Sequence, residues 1–223
     1  MAKLTREQER RHAQACQLVE LDRDLNDDER LFVLDHWQES ATSTNASDRA
    51  FFTPAGLARD MSMDVEGRRI LDLGAGIGRL PFHCRDALAR YEYPQFVCVE
   101  RNPAYVRVGR RVMPEATWIC ADILDLPDML DELGTVDCAI SNPPFGPLPR
   151  RRDAPGGYTG RRFEYHTIAL AGLFARRGVF LIPQLTRPRS GAPAVRTASR
   201  TPATRSTASS LPRPVSSSTR AAR

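Results

Sequence analysis

Four consecutive residues carry the most chemical information in this 223-residue chain: Asn142, Pro143, Pro144 and Phe145, which follow an apolar run at 136–140. The two prolines remove backbone donors and restrict φ, and Pro143 also disfavours the α region for Asn142. The loop is therefore stiff and rich in exposed acceptors. The Asn142 side-chain oxygen can accept one hydrogen bond and the Pro143 carbonyl another. Two acceptors aimed at a single –NH₂ suit an amine whose lone pair is delocalised into a heteroaromatic ring or a carbonyl. Accepting both hydrogens favours pyramidal nitrogen and stabilises the positive charge that develops as it attacks an electrophilic methyl group. This is positioning plus electrostatic stabilisation, with no strong base required. Phe145 adds a ring face for a flat substrate. The plain alternative is a proline-stiffened turn without chemistry.

A second constellation lies upstream. Asp72-Leu73-Gly74-Ala75-Gly76-Ile77-Gly78 directly follows the short apolar run 69–73. Glycines there permit a tight turn and close approach of a ligand to the backbone. Glu100, at the end of the apolar run 96–100, can accept both hydroxyls of a ribose, as acidic residues do after the second strand of dinucleotide-binding folds. Asp122, in Cys120-Ala121-Asp122-Ile123-Leu124, can accept from an adenine amino group. Read blandly, Glu100 is a solvated strand-end charge and Asp122 a helix N-cap or turn residue. The three acidic residues gain weight together, because each follows a different strand at the same edge of the expected sheet.

The elements that must position these groups alternate. Strands are expected at 69–73, 96–100, 117–120, 136–140 and 179–182, with helices at 80–91, Pro103–Val112 and 163–175; Pro103 stands at a helix start, where its missing N–H costs least. Short apolar strands alternating with helices predict a doubly wound, mainly parallel α/β sheet covered on both faces. Ahead of it, residues 1–48 form an expected helical extension. Leu18, Leu21 and Leu25 fall on one helical face, and Asn26 with Glu29 has the look of a capping box that opens a second helix through Leu31, Leu34 and Trp37. A polar stretch, 40–48, follows. The core is expected to span 49–186, and the strand pattern stops after the fifth strand.

Residues 187–223 contain eight Arg and no acidic residue, whereas the rest holds 24 basic against 27 acidic residues, a net charge of −3. The chain's overall +5 therefore belongs to the tail and says little about the core. That tail, nearly all Arg, Ser, Thr, Ala and Pro, is expected to be disordered. It reads either as a basic arm for nucleic acid or as the product of a frameshift, which would leave an inactive remnant that only binds. The five cysteines form no C-x-x-C pair and read as reduced thiols packed as small hydrophobes in a cytoplasmic protein. The first eight residues have no apolar signal core, no run is long enough to span a bilayer, and His12, His36, His83 and His166 show no metal-ligand spacing.

These motifs resemble those of the class I S-adenosylmethionine-dependent methyltransferases that modify exocyclic or amide nitrogens. The family's Asp/Asn/Ser-Pro-Pro-aromatic signature matches Asn142-Pro143-Pro144-Phe145, its glycine loop matches Asp72 to Gly78 (Gly74, Gly76 and Gly78 included), and its ribose and adenine-side carboxylates match Glu100 and Asp122. Phe51-Phe52-Thr53-Pro54 resembles the segment that, in N6-adenine methyltransferases, precedes the first strand and contacts the methionine part of the cofactor. The resemblance covers roughly residues 49–186. It implies a Rossmann-like fold, S-adenosyl-L-methionine as cofactor, bound by Phe52, Thr53, Pro54 and Asn142 besides the residues above, and no metal. The expected substrate is the N6 amine of adenine in nucleic acid, DNA before RNA; the family's other branch methylates glutamine side-chain amides in proteins. Arg150, Arg151, Arg152, Arg161 and Arg162, just beyond the signature, could contact phosphates or simply form a solvated loop. A nicotinamide-dependent oxidoreductase would share the glycine loop and Glu100 but gives no reason for Asn-Pro-Pro-Phe.

Overall fold

The computed structural model describes residues 5–38, 52–155, 157–183 and, for the backbone, 195–197. The expected polar stretch 40–48, Phe51 and the tail other than 195–197 lie outside the described residues.

The first two helices each begin with a reciprocal cap. Thr5 opens α1 (Arg6–Val19) with Gln8, and Asn26 opens α2 (Asp27–His36) with Glu29; in each, the cap side chain accepts from the third backbone N–H and that residue's side chain accepts from the cap's own N–H. Helix α1 stops at Val19, before the Leu21 and Leu25 that share its expected apolar face. The polar segment Asp22-Arg23-Asp24 turns the chain, Arg23 grips Glu29 through both carboxylate oxygens at 2.7 and 2.6 Å, and Leu21 is left outside while Leu25 is buried. This extension is stitched to the core. Val33, Leu34 and Trp37 are buried in one cluster with Ile70, Ile77 and Phe82, each worth roughly 1.5–3 kcal/mol relative to exposure.

Strands β1 (Arg69–Leu73), β2 (Gln95–Glu100), β3 (Thr117–Cys120), β4 (Val136–Ser141) and β5 (Ala175–Pro183) form a parallel sheet in the order β3-β2-β1-β4-β5. The two-residue side-chain period sends Ile70, Cys98, Cys138 and Ile140 to one face and Leu71, Leu73, Val97, Val99 and Ala139 to the other. Beyond the sequence expectation, Val195–Thr197 adds an antiparallel strand, β6, against β5.

The first face is covered by α1, α2, α3 (Ala55–Ser62), α4 (Arg79–Ala87) and α5 (Pro103–Val112). The second is covered by a 3₁₀ segment (Ile123–Met129), α6 (Leu130–Leu133) and α7 (Phe163–Phe174). Helix α3, the 3₁₀ segment and α6 had no counterpart in the sequence reading: they are short, and Pro127 interrupts the one apolar repeat that could have shown them. The order reverses at β1, which has β2 on one side and β4 on the other, so a crevice opens outside the carboxyl ends of these two halves. Among the described residues no helix is long and apolar enough to cross a membrane.

Candidate functional site

At the carboxyl end of β1 the chain turns on three left-handed glycines, Gly74 (φ +77), Gly76 (φ +57) and Gly78 (φ +90). The N–H groups of Gly74 and Ala75 donate to the Val99 carbonyl at 2.9 and 3.0 Å, tying the loop to β2. A Cβ on Gly76 would meet the Phe52 ring at 3.4 Å, so the loop passes close under that ring. Glu100 is buried, and its two oxygens accept from Gly76 N at 3.0 Å and Asn102 N at 2.8 Å. With the Arg101 N–H as a further backbone donor, the carboxylate still keeps acceptor capacity for a ligand hydroxyl. Burial pushes this carboxyl above its usual range, against the pull of the Asn102 and Gly76 bonds.

Asp72 lies beneath the loop, fully buried, and neither of its oxygens has a hydrogen-bond partner among the described residues. Desolvation, and then the nearby Glu100 charge, hold its carboxyl well above the ordinary range. Unlike Gly74 and Gly76, it is absent from the cavity wall.

That wall encloses a cavity of about 330 Å³. Phe52, Gly74, Gly76, Glu100 and Asp122 line it together with Asn142, Pro143, Pro144 and Phe145. The structure thus brings the two motifs into one space, although some 40 residues or more of sequence separate Glu100 from Asn142. Asp122 Oδ1 accepts from Leu124 N at 3.0 Å, which caps the 3₁₀ segment, and the residue also lines the cavity. Gly78 starts α4 and faces Trp118 rather than the cavity. Pro54 is exposed and caps α3, so of the Phe-Thr-Pro segment Phe52 and Thr53 reach the site.

The Asn142–Phe145 loop is held where it begins. Ser141 Oγ donates to the Leu73 carbonyl at 2.5 Å, and Asn142 Nδ2 donates to Thr53 Oγ1 at 3.0 Å. The second contact orients the amide, with –NH₂ towards Thr53 and Oδ1 at its opposite end. Phe145 remains 37% exposed on the cavity wall, a ring face still open to a flat partner.

Several contributors were invisible in the sequence. Tyr105, buried in α5, lines the cavity and packs edge-on against Phe52 (5.2 Å) and Trp37 (5.6 Å), so the N-terminal extension supports the wall from behind. Arg79, also buried, binds Asp35 at 2.8 Å and the Leu34 carbonyl, which pins α2 to the start of α4. Leu148, Phe163 and Thr167 complete the wall beyond Phe145. No spacing rule could have joined these positions, because they meet only through tertiary packing.

Four of the five arginines beyond the signature are ion-paired within the chain. Arg150 pairs with Asp153 (2.7 Å), Arg151 with Asp125 (3.3 Å), Arg152 with Asp128 (2.9 Å) and Asp125 (3.4 Å), and Arg162 with Glu164 (2.6 Å). Of the five, only Arg150 lines the cavity. His166 is buried as a structural residue: Nδ1 accepts from Ala154 N at 3.2 Å and Nε2 donates to the Gly160 carbonyl at 2.8 Å. Among the described residues no group of three or more His, Cys, Asp or Glu could hold a metal ion. The five cysteines are free; Cys84, Cys98 and Cys138 are buried, but Cys120 is exposed rather than packed.

No family model matches the chain, and no curated protein matches it. Solved structures do. The methyltransferase subunit of a type I restriction-modification system from Streptococcus thermophilus superposes with a TM-score of 0.52 at 18% identity, covering 68% of this chain and 39% of that one. Fibrillarin from Aeropyrum pernix, with S-adenosyl-L-methionine bound, gives 0.40 at 19% identity over 54% and 47% of the two chains. The N-terminal domain of EvdMO1, with SAH bound, gives 0.44 at 17% over 81% and 66%. This chain therefore spans well under half the length of the restriction-modification subunit. What it shares with that protein is the fold, a Rossmann-like methyltransferase sheet with helices on both faces.

Proposed function

We propose that this chain is an S-adenosyl-L-methionine-dependent N-methyltransferase whose substrate is the N6 amine of adenine in nucleic acid. The observation that carries the reading is the shared cavity: the glycine loop, Glu100 and Asp122 line one space with Asn142 to Phe145. The donor set fits the cofactor. A carboxylate with spare lone pairs at the end of β2 suits a ribose, Asp122 suits an adenine amino group, and the close passage of Gly76 under Phe52 suits a ligand that lies against backbone. A bound cofactor supplies an electrophilic methyl group.

The chain's own residues then handle the amine. With its –NH₂ committed to Thr53, Asn142 offers Oδ1 as an acceptor, and the Pro143 carbonyl offers a second. The two acceptors hold both amine hydrogens, turn the nitrogen lone pair out of conjugation, and stabilise the charge as the N–C bond forms and the S–C bond breaks. The surplus proton then passes to solvent. Phe145 stacks on the base, and a duplex target must be flipped out to reach it.

The test is a radiolabelled methyl-transfer assay with DNA, RNA and glutamine-containing peptides. Label is expected on adenine N6 in nucleic acid, and Asn142→Ala should lower the rate by about 10²–10³, the range for loss of one transition-state hydrogen-bonding group. Label on glutamine amide would move the protein to the other branch. Equal labelling by wild type and Asn142→Ala would remove Asn142 from the mechanism.

A further inference from the structure

Whereas Ser141 and Thr53 hold the start of the Asn142–Phe145 loop, its far end is held by a residue the sequence did not single out. Immediately after Phe145 the chain turns through the left-handed region at Gly146 (φ +83). The Gly146 N–H donates to Glu164 Oε2 at 2.8 Å, and its carbonyl accepts from Phe163 N at 2.9 Å. Pro147 and Arg162 add a single antiparallel bridge. The other Glu164 oxygen, Oε1, accepts from Arg162 Nε at 2.6 Å, and Glu164 is 1% exposed.

We propose that Glu164 is a positioning residue for the target amine: its buried carboxylate, paired with Arg162, clamps Gly146 and so sets the direction of the Pro143 carbonyl and of the Phe145 ring. The proposal rests on the N-methyltransferase reading above.

Three features favour a positioning role over simple stabilisation. First, α7 forgoes its own capping. Arg162 stands at the N-cap and makes no side-chain cap bond, and Glu164, the acidic residue of the first turn, spends both oxygens outside the helix. Second, Arg162 is 34% exposed although Glu164 is buried, and an ion pair that reaches solvent adds little stability, whereas it does fix orientation. Third, the same turn of α7 builds part of the wall. Phe163 and, one turn on, Thr167 line the cavity together with Phe145, so anchoring Gly146 to this turn fixes the Phe145 loop relative to these two residues.

The experiment compares wild type, Glu164→Ala and Glu164→Gln by kcat and KM on an adenine oligonucleotide, by cofactor Kd, and by hydrogen exchange at the Gly146 amide. The expected kcat order is wild type, then Gln, which keeps an acceptor for Gly146 but loses the charge, then Ala. The Ala variant should be lower by roughly tenfold to a hundredfold, the effect of losing a charge-assisted hydrogen bond. Cofactor Kd, set by residues outside the clamp, should stay within about twofold. Gly146 exchange should quicken in the same order. Should Glu164→Ala not fold, Glu164→Gln and Arg162→Met carry the comparison. Equal kcat in all variants overturns the proposal, as does a loss of kcat matched by an equal loss of cofactor affinity. If wild type labels no substrate, the methyltransferase reading falls by itself. The clamp is then judged on exchange, and equal Gly146 protection in wild type and variants overturns it.

Discussion

The two walls of the cavity are built by different means. On the cofactor side, short-range backbone geometry does the work: three left-handed glycines, two N–H groups on the Val99 carbonyl, and Glu100 held by Gly76 and Asn102 close to the strand end that carries it. On the target side, long side chains reach across the fold. Asn142 is oriented by Thr53 from 89 residues upstream, Gly146 by Glu164 from 18 downstream, and the loop at 150–160 by Arg150 and His166. A wall made of strand ends tolerates change except at the ligating group itself. A wall made of distant side chains can lose its shape through residues that never touch a ligand.

The largest effect that would break this comparison belongs to the cofactor wall. Glu100→Ala should weaken cofactor binding about 10- to 100-fold, because charge-assisted hydrogen bonds to ligand hydroxyls are lost, while the backbone carbonyl of Val99 still anchors the loop. Calorimetric titration measures this, alongside the melting temperature of the free protein. A large fall in melting temperature with unchanged affinity would mean that Glu100 serves the loop and not the ligand.

This difference also explains what could be read from the sequence. Strands β1 to β4 and α5 came within a residue or so of their expected bounds, because a doubly wound sheet with both faces buried writes itself as apolar runs bounded by glycine, proline and charge. The site residues at those strand ends were legible for the same reason: topology alone puts Gly74, Glu100, Asp122 and Asn142 at one edge. Asp72 is the exception, since the pleat turns its side chain beneath the loop while its neighbours Leu73 and Gly74 reach the wall. Tyr105, Glu164 and Thr167 left no such mark. Nothing local distinguishes a helical glutamate that clamps a loop from one that faces solvent; only the folded contact does.

Asp72 supplies the next effect in size. An unpartnered carboxyl with a raised folded-state value contributes most favourably to stability below the ordinary carboxyl range near 3.8 and loses that contribution as pH rises through the raised value. Within that window the folded chain carries the proton, and above it the fold must bury the charge. Asp72→Asn keeps the shape and removes the ionisation, so its melting temperature relative to wild type should rise as pH climbs above the ordinary carboxyl range and level off once the raised value is passed. A difference that stays flat, or falls, with rising pH would mean that Asp72 has a partner that stabilises its charged form.

The smallest effect separates two adjacent residues. Arg150 lines the cavity, is 18% exposed, and bonds Asp153 and the Gly160 carbonyl; Arg151 is 84% exposed and meets only the edge of Asp125 at 3.3 Å among the contacts described. An exposed ion pair of that kind contributes about 0–1 kcal/mol, so Arg151→Ala should leave stability and methyl transfer nearly unchanged. The sharper measurement is the salt dependence of oligonucleotide binding. A residue that neutralises one phosphate adds about 0.9 to the slope of log K against log salt on duplex DNA. With its guanidinium turned to Asp125, Arg151 should add nothing, and the Ala variant should show the wild-type slope. Arg150→Ala should instead lower affinity by opening the wall at Gly160. A slope that drops by a full unit in Arg151→Ala would return this arginine to the phosphate role that its sequence position suggested, and would mean that the Asp125 pair gives way when nucleic acid arrives.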